Sequence, residues 1–143
     1  MKKIRTVRTL LLTLFLCSVS GLFLWDKITL DREHWRTLVF LKEIYHEAVF
    51  QKKRIIVRFG DKVISTSDGR TLKVPHLWRV RYDTTLGKNM AVIHGIGKGA
   101  EYNLREHGGD LSLRSYSRLF QRHIAISCVG FPYEGLYPGL VSD

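Results

Sequence analysis

His46 and Glu47 in "HEAVF" open the zinc pattern H-E-x-x-H, in which two histidines one helical turn apart hold the metal and the glutamate acts as base. Phe50 takes the place of the second histidine. The second ligand is therefore missing, and the pair reads as a partly solvated stretch of an amphipathic helix. "HGIGKGA" places Gly95, Gly97 and Ala100 at the positions of a dinucleotide-binding turn. Such a site needs a helix next and an acidic residue about twenty positions on. Here a glycine pair follows within a few residues, and 111–133 contain no Asp or Glu, so a plain glycine-rich loop between strands is expected. Cys128 has His123 five residues away, which on a strand puts the two on opposite faces rather than together as nucleophile and base. The six histidines are scattered without metal-ligand spacing. No catalytic centre, metal or cofactor is expected, and no small-molecule substrate is identified.

One pattern could hold an anion. Lys52, Lys53, Arg54 and Arg58, with Arg79 and Arg81 of "LWRVRYD", interleave cations with aromatic and aliphatic residues, as a surface tracking phosphates would. The competing reading is a solvated sheet face plus a helix end that suits cations. No nucleic-acid motif accompanies the charge, which disfavours nucleic acid as a partner. Net charge is +10, but Lys2, Lys3, Arg5 and Arg8 stand ahead of everything else. Beyond Gly21 nineteen basic residues face thirteen acidic ones, a modest attraction for an anionic ligand or membrane surface.

The elements that must position these residues begin with "RTLLLTLFLCSVSGLFLW". Residues 1–8 are a basic start. Residues 9–25 are seventeen uncharged positions, at the lower end of what crosses a bilayer. Leu10, Leu11, Leu12, Leu14, Phe15, Leu16, Leu22, Phe23, Leu24 and Trp25 are its expected membrane and helix contacts, with Trp25 as an interfacial aromatic. The same run, with "SVSG" as a cleavage site, also fits a signal peptide. Both readings carry the rest of the chain across the membrane, and the basic start stays in the cytoplasm. An uncleaved single-pass anchor in the inner membrane is the expectation, because helix-compatible sequence continues past Trp25 without a breaker. Leu16 before Cys17 departs from the small residue that lipidation wants. With Cys128 as its sole companion, Cys17 implies no disulfide framework.

All three prolines and eleven of twelve glycines follow Lys53. Residues 26–53 read as an amphipathic helix. Asp31 is a possible cap, and Trp35, Leu38, Leu41 and Tyr45, with Ala48 and Val49, recur at helical spacing to seat a sheet. Residues 9–53 could form one nearly continuous helix. Residues 54–143 read as a β-rich domain. "RIIVRFGDKVISTSDGRTLKVP" alternates between tight turns, and "HLWRVRYD" puts Trp78, Val80 and Tyr82 on one face. "NMAVIHG" and "RHIAISCVGF" are further strands. "DLSLRSYSRLFQR" fits helix or strand, and the tail from Pro132 reads as irregular. The fold class is α+β: a long N-terminal helix, membrane-embedded in its first half, packed on a small antiparallel sheet.

This order resembles type IV pilins and the minor pseudopilins of type II secretion. The nearest local likeness is "LVFLKEIYHEAVFQKKRIIVRF": Ala48 as the helix alanine, Lys52–Arg54 as the basic turn, and Ile55, Val57 and Phe59 as the first strand. The chain departs from the prepilin motif, with Val7 where the glycine before the cleavage point should stand and Leu12 where the glutamate should. The resemblance implies a non-enzymatic envelope protein partnered by other pilin-like subunits or secretion-assembly proteins. The rival expectation is a cleaved, secreted or periplasmic module that binds an anionic ligand through a basic sheet face.

Overall fold

The computed structural model describes residues 2–84, 87–94, 109–127 and 130–134. Among these residues one helix, α1, runs from Lys2 to Gln51, and ten strands follow: β1 Arg54–Phe59, β2 Val63–Thr66, β3 Thr71–Lys73, β4 Leu77–Arg81, β5 Asp83–Thr84, β6 Gly87–Lys88, β7 Met90–His94, β8 Gly109–Arg114, β9 Gln121–Ile126 and β10 Pro132–Glu134. The fold is α+β. Instead of one sheet there are two four-stranded sheets, ordered β3-β2-β1-β7 and β10-β9-β8-β4, plus the small β5-β6 hairpin. Every strand pairing among the described residues is antiparallel. The division falls at Val74–His76. Pro75 has no N–H to give a ladder, and the chain turns there, the Leu77 N–H donating to the Val74 carbonyl. It leaves β3 in the first sheet and enters β4 in the second.

The inner faces of both sheets and one stripe of α1 share a core. Ile55, Val57, Phe59, Ile64 and Ile93 come from the first sheet, Leu77, Leu111, Leu113, Ile124 and Ile126 from the second, and Leu30, Leu38, Leu41, Ile44 and Ala48 from the helix. The second half of α1 lies against β7 at the edge of one sheet and β9 and β10 at the edge of the other. Each buried Leu or Ile there contributes about 1.5–3 kcal/mol of apolar transfer. Gly109 is needed opposite Tyr82, because a side chain there would strike the tyrosine ring and the Arg81 carbonyl.

Several expectations are corrected. Asp31 caps nothing, since α1 passes through it unbroken. It lies instead 3.8 Å from the Arg122 guanidinium. Trp35 is 64% exposed and seats no sheet. It stands two residues from both Glu33 and Thr37 of the buried stripe, hence on the opposite side of the helix. Val49 is likewise exposed, whereas Leu38 and Leu41 are buried and Tyr45 packs against the core. Trp78 leaves the core face because the β4–β8 register shifts between Leu77 and Arg79, and Leu77 takes the inward place. "DLSLRSYSRLFQR" is strand β8, a turn, and the start of β9; Pro132–Glu134 is a strand rather than irregular tail. Gly95–Ala100 and Cys128 lie outside the described residues.

Candidate functional site

Among the described residues, the first half of α1 meets its own domain only near its end, where Trp25 stacks on Tyr116. Leu10, Leu11, Leu12, Leu14, Phe15, Leu16, Leu22, Phe23, Leu24 and Trp25 are all exposed, from 41% at Phe23 to 67% at Leu22. The helix is long and apolar enough to cross a membrane, and none of its most apolar window is buried. Three of its hydroxyls are satisfied within the helix: those of Thr9, Thr13 and Ser18 donate to the carbonyls of Arg5, Thr9 and Leu14 at 2.8, 2.8 and 2.9 Å. Hydroxyls bonded back to the helix in this way cost less to carry into hydrocarbon than free ones.

Where the domain begins, polar residues turn inward. The Asp26 carboxylate accepts the backbone N–H groups of Tyr116 (2.9 Å) and Ser117 (3.2 Å), pinning the β8–β9 turn to the helix. Burial works to raise the Asp26 pKa, but the Ser117 and Ser115 hydroxyls and the two backbone donors outweigh it and hold the pKa below the ordinary value. About two turns further on, Glu33 accepts the His76 N–H at 2.8 Å and faces the His76 Nδ1. This ties the helix to the Val74–His76 crossover. His34 Nε2 lies 3.3 Å from the His123 carbonyl. Burial first, and the Arg122 guanidinium next, lower the His34 pKa.

The outer face of the second sheet is the other candidate. Register places Arg79 opposite Ser112 and Arg81 opposite Asp110, with His123 opposite Ser112 on the far side of β8. These side chains and Arg114 share one face. Ser112 Oγ and His123 Nδ1 are 2.9 Å apart, and the Arg114 guanidinium stacks 3.7 Å over the Trp78 ring. Among the described residues five buried side-chain polar atoms lack a partner, and four are on this face: Arg81 Nη1, Arg114 Nε, Asp110 Oδ2 and His123 Nε2. Burial pushes the Asp110 pKa up despite Arg81, and lowers that of His123 despite Asp110. Two guanidinium donors beside a buried histidine and carboxyl can receive an anionic oxygen that also carries a hydrogen-bond donor.

The six cations expected to meet an anion do not form one surface. Arg54 and Arg58 alternate with Ile55, Val57 and Phe59 of the core, so they point outward from the first sheet, away from Arg79 and Arg81 on the second. Lys53 is 3.2 Å from Glu47, which also pairs with Arg70. Lys52 caps the helix rather than ending it. Its φ is 52°, and the Lys52 and Lys53 N–H groups donate to the Val49 and Ala48 carbonyls. His46 is exposed, and no group of three His, Cys, Asp or Glu suited to a metal gathers among the described residues.

No protein-family model, curated protein or solved structure matches this chain. Function must be argued from its own geometry. Sequence reasoning missed Asp26 and Glu33 as inward tethers, and Asp110, Ser112, Arg114 and His123 as a cluster. The alternation D-L-S-L-R of β8 was the available signal for the cluster, since it puts Asp110, Ser112 and Arg114 on one side.

Proposed function

We propose that this chain is a non-enzymatic envelope protein of the pilin-like kind. Residues 9–25 anchor it in the inner membrane with the N-terminus cytoplasmic, and the two-sheet domain stands on the extracytoplasmic side. The exposed half of α1 packs against helices of other pilin-like or secretion-assembly subunits. One observation carries the reading: a single unbroken helix is bare and apolar along its first half and embedded in the domain along its second. Such a helix fixes the domain rigidly to whatever its bare half enters. The junction of buried Ala48, the turn at Lys52 and the buried strand residues Ile55, Val57 and Phe59 is in keeping with the resemblance. The Ser112–His123 pair is no evidence of an enzyme, because the Ser112 hydroxyl belongs to a residue only 4% exposed.

Cys17 lies exposed on the bare half and provides the test. With Cys128→Ser in place, mild oxidation of native membranes should link Cys17 to a neighbouring subunit, and the product should resist carbonate extraction. A protein that emerges soluble, with a mature N-terminus at Gly21 or Leu22, overturns the anchored reading. The orphaned Arg81 and Arg114 donors favour a second reading, a module that binds an anion on the outer face of the second sheet. Titration with inorganic phosphate and with sulfated polymer tests it: saturable binding lost in Arg81→Gln supports it, and no saturable binding removes it.

A further inference from the structure

We propose that the β8–β9 turn, residues 115–120, is a second membrane contact that docks in the lipid headgroup layer beside the helix. The proposal rests on the anchored reading of residues 9–25. Contacts of β9 and the segments at its two ends with α1 form a ladder that fixes the direction. Phe131 meets Tyr45 at the far end with ring centroids 5.1 Å apart, His123 meets His34, Arg122 meets Asp31, and the turn meets Asp26. The turn is thus the end of the ladder nearest the bare helix.

It also reaches past the start of the domain. The Tyr116 ring stacks on Trp25, centroids 6.2 Å apart and planes within 19°. A cleft of about 320 Å³ opens between the two elements, lined by Val19, Leu22, Phe23, Trp25 and Asp26 on the helix and by Tyr116 and Ser117 on the turn. Tyr116 therefore overlaps the last turns of the apolar segment rather than standing clear of it.

Length then sets the depth. Seventeen residues at about 1.5 Å each span about 25 Å, less than the hydrocarbon thickness of about 30 Å. A segment this short cannot be lifted out by a turn or two and still cross. Trp25 must sit at the interface, and Tyr116 with it, where amphipathic aromatic rings are favoured. The rest of the turn suits that layer. Leu119 is 64% exposed and Tyr116, beyond its contact with Trp25, 60%, and Arg118 is exposed between them to meet lipid phosphates. Asp26, holding the two backbone N–H groups, locks the turn at this height, so that helix and turn enter as a unit. The occupant of the cleft is then lipid, and the turn fixes the rotation of the anchor about its axis as well as its depth.

The test uses the full chain in vesicles of phosphatidylcholine and phosphatidylglycerol, with a polarity-sensitive fluorophore on one cysteine at a time and nitroxide lipids as quenchers. Cys17, with Cys128→Ser, reports the anchor. Leu119→Cys and Phe50→Cys, each with Cys17→Ser and Cys128→Ser, report the turn and the far end of the helix. Headgroup-level nitroxides should quench the Leu119 position at least threefold more than the Phe50 position, while mid-chain nitroxides quench Cys17. Equal quenching at 119 and 50 with Cys17 quenched overturns the docking and leaves the anchor standing. Loss of quenching at Cys17 as well overturns the anchored reading, and the docking falls with it.

Discussion

The two halves of α1 invert the usual rule of burial. From Leu10 to Trp25 the helix is almost wholly apolar, and its large side chains are exposed. From Asp26 to Ala48 it carries Asp26, Glu33, His34 and Thr37 on its buried stripe. In water alone the hydrophobic effect would favour the opposite arrangement. On the proposed anchored reading, the contrast means that one helix is fitted to two media. Its first half needs no specific partner atoms and accepts any apolar surrounding. Its second half is held by directional bonds to named backbone groups: Tyr116 and Ser117 on Asp26, and His76 on Glu33. Apolar stripes can slide or rotate against a sheet, whereas these carboxylates fix the register between helix and domain.

An aspartate placed in each half should break the comparison most visibly. Leu41 is 2% exposed in the core, so Leu41→Asp removes a packed side chain and buries an unpaired charge, at a cost of at least about 4 kcal/mol. That is a large part of the roughly 5–15 kcal/mol that holds a domain together, and thermal melting in detergent should show the β-domain unfolded. Leu12→Asp should leave the same melting curve unmoved, since Leu12 is 59% exposed. In the anchor it costs at most about 2.5–3.5 kcal/mol of insertion, the value at a helix centre, and the protein should become more extractable by carbonate. A shared loss of folding in both variants would show that the bare half belongs to the domain core.

Acid should separate the halves next. His34 and His123 have pKa values lowered chiefly by burial. The unfolded chain takes up protons from about pH 6.5 downward while the folded domain resists until lower pH, so stability falls as pH drops below about 6.5. Asp26, whose pKa is lowered too, acts in the same direction at more acid values: its contribution is present above its unfolded pKa and is lost as pH falls through the folded one. Melting temperature should decline from pH 8 to pH 5, and less steeply in His123→Gln. The first half contains no histidine, so carbonate resistance and Cys17 labelling should not change over that range. Asp110, whose pKa burial raises, acts in the opposite direction, so the decline should be steeper in Asp110→Asn, and a flat profile in that variant would mean that the buried rings are not kept neutral.

How far this division was legible differs along the chain. The helix and its end could be read because no glycine or proline interrupts residues 22–53 and because the alternation of Arg54–Phe59 announces a strand. Tight turns at Gly60-Asp61 and Asp68-Gly69 fell between strands as expected. What could not be read depends on partners distant in sequence. Trp35 looked like core because tryptophan is apolar, but the stripe is set by Asp26, Glu33 and Thr37, whose polarity argued for solvent. The burial of Asp26 and Glu33 follows from donors 43 to 91 residues away, whereas the Thr37 hydroxyl donates to the Glu33 carbonyl of its own helix. The outward cluster on β4, β8 and β9 depends likewise on register, and the bulge at Leu77/Arg79 that turns Trp78 outward has no local sequence mark. The basic residues were visible individually, whereas their division between two faces required knowing that Pro75 separates two sheets.

The smallest expected effect offers the finest comparison, because it uses a glycine in each half. Lys52 adopts φ 52° at the position where a helix end of this geometry favours glycine. Its side chain makes that left-handed turn costly, so Lys52→Gly should stabilise the domain by about 0.5–1 kcal/mol, a rise in melting temperature of a few degrees, roughly 2–8 °C. Gly21 is the converse: a glycine inside the bare helix with nothing within 4 Å of the place a Cβ would take. In water Gly21→Ala would favour the helix by a similar 0.5–1 kcal/mol. In a bilayer the backbone is already forced to pair internally, so the alanine should add nothing to the melting temperature of the domain. Both variants should be melted in the same vesicles. A rise at Lys52→Gly alone means that the two halves of α1 answer to different surroundings. Equal rises at both positions would show instead that the whole helix melts with the domain as one unit.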